Sequence, residues 1–136
     1  MSDLSEQPVS DNDSATSAAA ITTALFSKKR VLLIDDQRSF QVMMKAMLQN
    51  VGLNHITLLA TAEEGRRRCQ KESFDIYLID YNLGSGENGR QFLSYLRENK
   101  LLAPDAIAVI VSGDNSRSMV LSALESEPDD YMMKPF

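Results

Sequence analysis

From Lys29 onward, short apolar runs alternate with segments whose apolar residues recur every three or four positions, a pattern that predicts β-strands interleaved with α-helices. "RVLLID" (30–35) reads as a first strand. "SFQVMMKAMLQNVG" reads as a helix with Phe40, Met43, Met44, Met47, Leu48 and Val51 on one apolar stripe and Gly52 as its stop. "HITLLA" (55–60) is a second strand, and Thr61 with Glu64 forms a capping box that opens a second helix. "DIYLID" (75–80) is a third strand. After a glycine-rich loop, "RQFLSYLREN" gives a third helix through Phe92, Leu93 and Leu96, and "AIAVIVS" (106–112) a fourth strand. "NSRSMVLSALES" (115–126) reads as a fourth helix and "DYMMK" (130–134) as a fifth strand.

The third and fourth strands are nearly continuous apolar runs, as expected when helices cover both faces of a sheet. With right-handed crossovers, this predicts an α/β fold with a doubly wound parallel sheet. In such sheets, chemistry gathers at the carboxyl ends of the strands. Ahead of the alternating region, residues 1–17 are rich in Ser, Asp and other small polar residues, a composition that predicts disorder. Residues 18–26, "AAAITTALF", can form a short helix that is stable only if docked. The expected division is an N-terminal extension over 1–28 and one domain over 29–136.

Length and composition narrow the class. A chain of 136 residues, 43% hydrophobic and 24% charged, suits one globular domain. The net charge of −5 is largely local: Asp3, Glu6, Asp11 and Asp13 precede any base, and the remainder from Lys28 is near neutral. That balance argues against direct binding of nucleic acid or an anionic membrane. One cysteine, Cys69, and one histidine, His55, leave neither an intramolecular disulfide nor a zinc constellation. No secretory leader or spanning apolar run is evident, so the reading is a cytoplasmic protein.

The strand ends carry the candidate chemistry. Asp35 and Asp36 follow the first strand, Asp80 the third, Ser112 the fourth and Lys134 the fifth, all at one rim. Carboxylates about 5 Å apart repel by roughly 3 kcal/mol per pair at an effective dielectric near 20, so the cluster must bind a proton or a cation. Hard oxygen donors with few protein ligands suit Mg²⁺, which readily shares its coordination sphere with a phosphoryl group. A carboxylate can attack phosphorus to give an aspartyl phosphate, a transfer that needs in-line positioning and charge neutralisation. Asp80, on the central strand, is the expected acceptor; Lys134 pairs with one phosphoryl oxygen and the Ser112 hydroxyl donates to another. The plain alternative makes these residues solvated strand ends, with Asp36 as a helix N-cap. It is disfavoured because Ser112 and Lys134 fall at the two remaining strand ends.

"VLLIDD", "YLIDYNLG", "VIVSGD" and "DYMMKPF", in this order, resemble the receiver domain of bacterial response regulators. The resemblance runs from about Lys29 to Phe136. It implies a flavodoxin-like five-stranded sheet in the order 2-1-3-4-5 and phosphorylation of Asp80 by a sensor histidine kinase. Mg²⁺ is then held by Asp36, Asp80 and the backbone carbonyl of Asn82, with Asp35 in the outer sphere. The family's switch hydroxyl matches Ser112, its switch aromatic Tyr131, and its usually cis proline Pro135. Phosphorylation draws the Ser112 hydroxyl inward and lets Tyr131 turn, changing the surface of the fourth helix and fifth strand and with it the binding of a downstream protein or output domain. A homodimer is a further possibility for the partner. The chain departs from the family in two places. Its loop "NLGSGENG" lacks a proline often found there and is one residue longer, and it stops before the usual fifth helix. The latter predicts an apolar patch beside the first helix, which residues 18–26 of this or a second chain could cover.

Other features invite plainer readings. Arg66, Arg67 and Arg68 are successive helical residues near Glu63, Glu64 and Glu72, as on a solvated face. Cys69 reads as a packing residue, and His55 is too isolated to be a phosphorelay histidine. "GSGENG" lacks the lysine of a phosphate-cradling loop. Two rival functions are weaker. An interaction module that signals without phosphorylation has no need of Asp80, Lys134 and the acidic pair. A haloacid-dehalogenase-type phosphatase carries its nucleophile on the first strand in a D-x-D arrangement, whereas Asp35 and Asp36 are adjacent.

Overall fold

A computed structural model of the chain describes residues 27–84, 86–113 and 128–133. Its elements are β1 (Arg30–Ile34), α1 (Arg38–Asn50), β2 (His55–Leu59), α2 (Ala62–Cys69), β3 (Ile76–Asp80), α3 (Gly89–Glu98), β4 (Ile107–Ser112) and β5 (Asp130–Met133). The expectations for residues 1–26, for the helix at 115–126, and for Lys134, Pro135 and whatever follows the fifth strand lie outside the described residues.

The strands form one parallel sheet in the order β2-β1-β3-β4-β5, so the doubly wound topology holds. Side chains alternate across it. Leu32, Ile34, Tyr77, Ile79, Ala108 and Ile110 pack on one face with Ala62 and Cys69 of α2 and with Phe92, Leu93 and Leu96 of α3. Val31, Leu33, Leu78, Val109 and Val111 fill the other face with Phe40 and Met44 of α1. Because both faces are covered, the three central strands read as unbroken apolar runs, while β2 at the edge is only half-buried. Burial also pushes the Cys69 thiol up to about 12, with a smaller push from Glu72 that Arg68 partly opposes, so it is a core side chain rather than a thiolate.

The stripe expected on α1 is only partly observed. Phe40 and Met44 are buried, but Met43, Met47 and Val51 are 41–51% exposed, and Gln41 takes their place inside. The helix is rotated toward Gln41 because that amide finds two carbonyl acceptors beneath it, which offsets the cost of burying a polar group. The methionines of this helix are therefore not all core residues.

At the amino-terminal edge, two carboxylates fasten adjacent strands. Asp75 Oδ2 accepts from the Arg30 backbone N–H at 2.8 Å, and Asp129 Oδ2 accepts from that of Ala108 at 2.6 Å. These acids complete the hydrogen bonding of strand starts and play no part at the opposite rim.

Helices α1 and α3 both close with the paired bonds of a Schellman motif. Leu53 N–H donates to Leu48 and Gly52 N–H to Gln49; Leu101 N–H donates to Leu96 and Lys100 N–H to Arg97. The left-handed position is Gly52 in the first and Lys100, at φ 56°, in the second. A Cβ in that region costs about 1 kcal/mol. Lys100→Gly is accordingly expected to stabilise the domain by roughly 0.5–1 kcal/mol, measured as a higher urea midpoint at unchanged m-value.

Candidate functional site

The candidate site sits where β1 and β3, neighbours at the centre of the sheet, reach their carboxyl ends. Asp35 and Asp36 follow β1 and Asp80 ends β3. One carboxylate oxygen from each lies within 4.8 Å of those from the other two. Asp35 and Asp80 are buried and Asp36 is exposed, leaving the cluster open to solvent on one side. Such a set of hard oxygen donors fits a divalent cation that keeps some of its water.

Asp35 is held through both its main chain and its side chain. Its N–H donates to the Leu59 carbonyl at 3.0 Å, its Oδ1 accepts from Gln37 N–H at 2.8 Å, and its carbonyl accepts from Gln41 Nε2 at 2.6 Å. Its carboxylate thus helps to open α1, whose N-cap residue Gln37 makes no side-chain capping bond. The N-cap role considered for Asp36 is not the one observed.

The β3–α3 loop folds back onto the site. Tyr81 N–H donates to the Val111 carbonyl at 2.7 Å, and the Tyr81 carbonyl accepts from Gly89 N–H at 2.8 Å. Tyr81 and Leu83 are buried in the core shared with α2 and α3, so the exposed Asn82 is carried between two anchored residues. The loop leads into α3 through a capping box in which Asn88 and Gln91 satisfy each other's backbone N–H groups.

Ser112, the last residue of β4, is buried and pairs with Met133, while Asp80 pairs with Val111 one step earlier. Asp80 and Ser112 therefore stand on adjacent strands at one rim, next to Asp35 and Asp36. The backbone of Tyr131 pairs with Ile110 in β5, and its side chain lies outside what is described. Asp35, Asp36 and Asp80 are thus brought together, with Ser112 at the end of the strand beside Asp80.

Several contributors were missed by sequence reasoning. Gly89 presses against the site: a Cβ built on it would fall 2.2 Å from the Asp80 carbonyl oxygen. Gly84, at φ +78°, passes the Asp36 carboxylate so closely that a Cβ would lie 3.3 Å from Oδ2. Glu87 holds the same loop to α2 through an ion pair with Arg66, whose Nε lies 2.9 Å from Oε1. Its hydrogen bond with Glu87 raises the Arg66 guanidinium above its usual value, and the group also lies 4.6 Å from the centre of the Tyr95 ring. Only Arg67 and Arg68 keep to the local helical partners expected of a solvated face, Glu63 and Glu72. A glycine-rich loop was the available signal for Gly84 and Gly89; Glu87 stands 21 residues from its partner and gave none.

Residues 31–136 match the family model of the response regulator receiver domain. The chain belongs to that family. Among curated relatives, it is 32% identical over 108 residues to the alkaline phosphatase synthesis transcriptional regulatory protein PhoP of Bacillus subtilis, an alignment covering 79% of this chain and 43% of PhoP. The chain thus spans less than half the length of that relative. Among solved structures, it resembles a response regulator protein from Burkholderia pseudomallei with a phosphorylated aspartic acid, calcium ion and citrate, at TM-score 0.70 and 25% identity over 80% of this chain and 61% of that one. A CheY-like receiver domain from Methanospirillum hungatei is similar at TM-score 0.69 and 28% identity, covering 79% and 82% of the two chains. Among the described residues of this receiver domain, no helix is long and apolar enough to cross a membrane.

Because the receiver loop packs backbone to backbone at Gly89, Gly89→Ala is expected to lower stability by about 1–3 kcal/mol. Gly113→Ala, where a Cβ meets nothing within 4 Å, is the control and should stay within about 0.5 kcal/mol in the same urea titration.

Proposed function

We propose that this receiver domain is a phosphoryl-accepting switch whose acceptor is Asp80, with a sensor histidine kinase as donor. The observation that carries this reading is the approach of Asp35, Asp36 and Asp80 to within 4.8 Å of one another, with the buried Ser112 ending the next strand. The Burkholderia relative, with its phosphorylated aspartic acid and bound cation, supports it by likeness.

In the reaction, an Asp80 carboxylate oxygen forms a bond to phosphorus while the bond from phosphorus to the donor's imidazole nitrogen breaks, its electron pair leaving with the donor. No base is needed, since the carboxylate already carries its charge. Asp36, Asp80 and the Asn82 carbonyl would hold Mg²⁺, with Asp35 in its outer sphere, and the ion would supply charge neutralisation for the phosphoryl oxygens. Lys134 pairs with a second oxygen and the Ser112 hydroxyl donates to a third. That donation draws the end of β4 inward, and Tyr131 turns into the space released. The surface around β5 then favours a different partner: a downstream protein, an attached output domain or a second copy of the chain. Water returns the switch to rest by hydrolysing the acyl phosphate, so the chain acts on itself and turns over no separate substrate.

Incubating the chain with acetyl phosphate and Mg²⁺ is expected to add one phosphoryl mass, labile to hydroxylamine, and Asp80→Asn should abolish it in intact-protein mass spectrometry. A wild-type chain that gains no mass, or an Asp80→Asn variant labelled as fully as wild type, contradicts the assignment. The first outcome would point instead to an interaction module that works without phosphorylation.

A further inference from the structure

Gln41 is the one buried polar residue on a helix face otherwise built from Phe40 and Met44. If the position served packing alone, leucine or methionine would fill it without the cost of burying an amide. Its Nε2 has two hydrogens and two acceptors: the Asp35 carbonyl at 2.6 Å and the Leu59 carbonyl at 3.1 Å. The Leu59 oxygen also receives the Asp35 N–H at 3.0 Å. The main chain of Asp35 is thereby held on both sides, by β2 at its N–H and by α1 at its carbonyl.

The Asp35 carbonyl belongs to the peptide plane that joins Asp35 to Asp36. That plane is rigid, so fixing its oxygen fixes the direction from which the exposed Asp36 chain departs. The Asp36 carboxylate reaches toward Asp80 and, among the described residues, passes close to Gly84. We propose that Gln41 is a positioning residue for the metal site, setting the Asp35–Asp36 peptide so that the carboxylates of Asp36 and Asp80 meet at the spacing a small divalent ion requires. The inference rests on the reading of this cluster as a Mg²⁺ site.

Mg²⁺ demands near-ideal octahedral geometry, whereas Ca²⁺ accepts longer and more variable ligand positions. Loosening the peptide should therefore harm Mg²⁺ binding more than Ca²⁺ binding, and a merely destabilised fold would not change the ratio of the two. Residues that orient metal ligands without touching the metal commonly contribute 10- to 100-fold in affinity.

The test is isothermal titration of the full chain with MgCl₂ and separately with CaCl₂, below the thermal midpoint of each variant. Gln41→Met, which keeps the volume and removes the donors, is expected to weaken Mg²⁺ binding about tenfold and Ca²⁺ binding by a smaller factor. If that variant does not fold, Gln41→Asn, whose shorter amide cannot span both carbonyls, is held to the same criterion. Unchanged Mg²⁺ affinity, or equal losses for the two ions, overturns the positioning role while the site reading stands. A wild-type chain that binds no Mg²⁺ overturns the site reading and this inference with it.

Discussion

The mutual repulsion of three carboxylates is the constraint around which this domain is organised. Asp80 would separate from the adjacent Asp35 and Asp36 in an unfolded chain, and the fold brings the three within 4.8 Å because β1 and β3 are hydrogen-bonded neighbours ending together. What holds them there is packing remote from the charges. Side chains of β1, β3 and β4 are buried on both sheet faces, and neither strand can withdraw without opening both core clusters. The core thus holds the three acids together at its edge, where a bound divalent cation would offset their like charges.

The two ends of the sheet use the same residue type differently. Asp75 and Asp129 at the amino-terminal edge spend their oxygens on backbone N–H groups of adjacent strands. At the carboxyl edge, Asp36 faces solvent and the cluster is open on that side. This asymmetry separates stability from chemistry along the length of each strand. The β3–α3 loop belongs with this end: it is pinned by buried Tyr81 and Leu83, by the contact of Gly89 with Asp80, and by the ion pair of Glu87 with Arg66 of α2. A change of charge at Asp80 would therefore be felt directly by this loop, which packs against it at Gly89.

The strand ends were legible in the sequence because a parallel sheet covered on both faces leaves long apolar runs, and the first polar residue after each run marks the rim. That logic found Asp35, Asp36, Asp80 and Ser112, and the Thr61–Glu64 capping box, all of which depend on local spacing. It failed for α1, where hydrophobic periodicity alone placed Met43, Met47 and Val51 inside. Gln41 went unnoticed because its acceptors lie on two strand ends, one of them 18 residues away. Glu87 was missed for the same reason, its partner on α2 being 21 residues away, and Gly89 because a glycine-rich loop does not announce which of its glycines is pressed against Asp80.

The central claim is that the acidic cluster is strained when bare and is relieved by a specific divalent ion. The direct measurement is the thermal midpoint as a function of MgCl₂, set beside NaCl at matched ionic strength. Site binding predicts a rise with MgCl₂ that continues logarithmically, about 2.7 kcal/mol at a hundredfold excess over Kd, and that NaCl does not reproduce. Equal midpoints in the two salts would mean that general screening alone acts on these carboxylates, and would contradict the account.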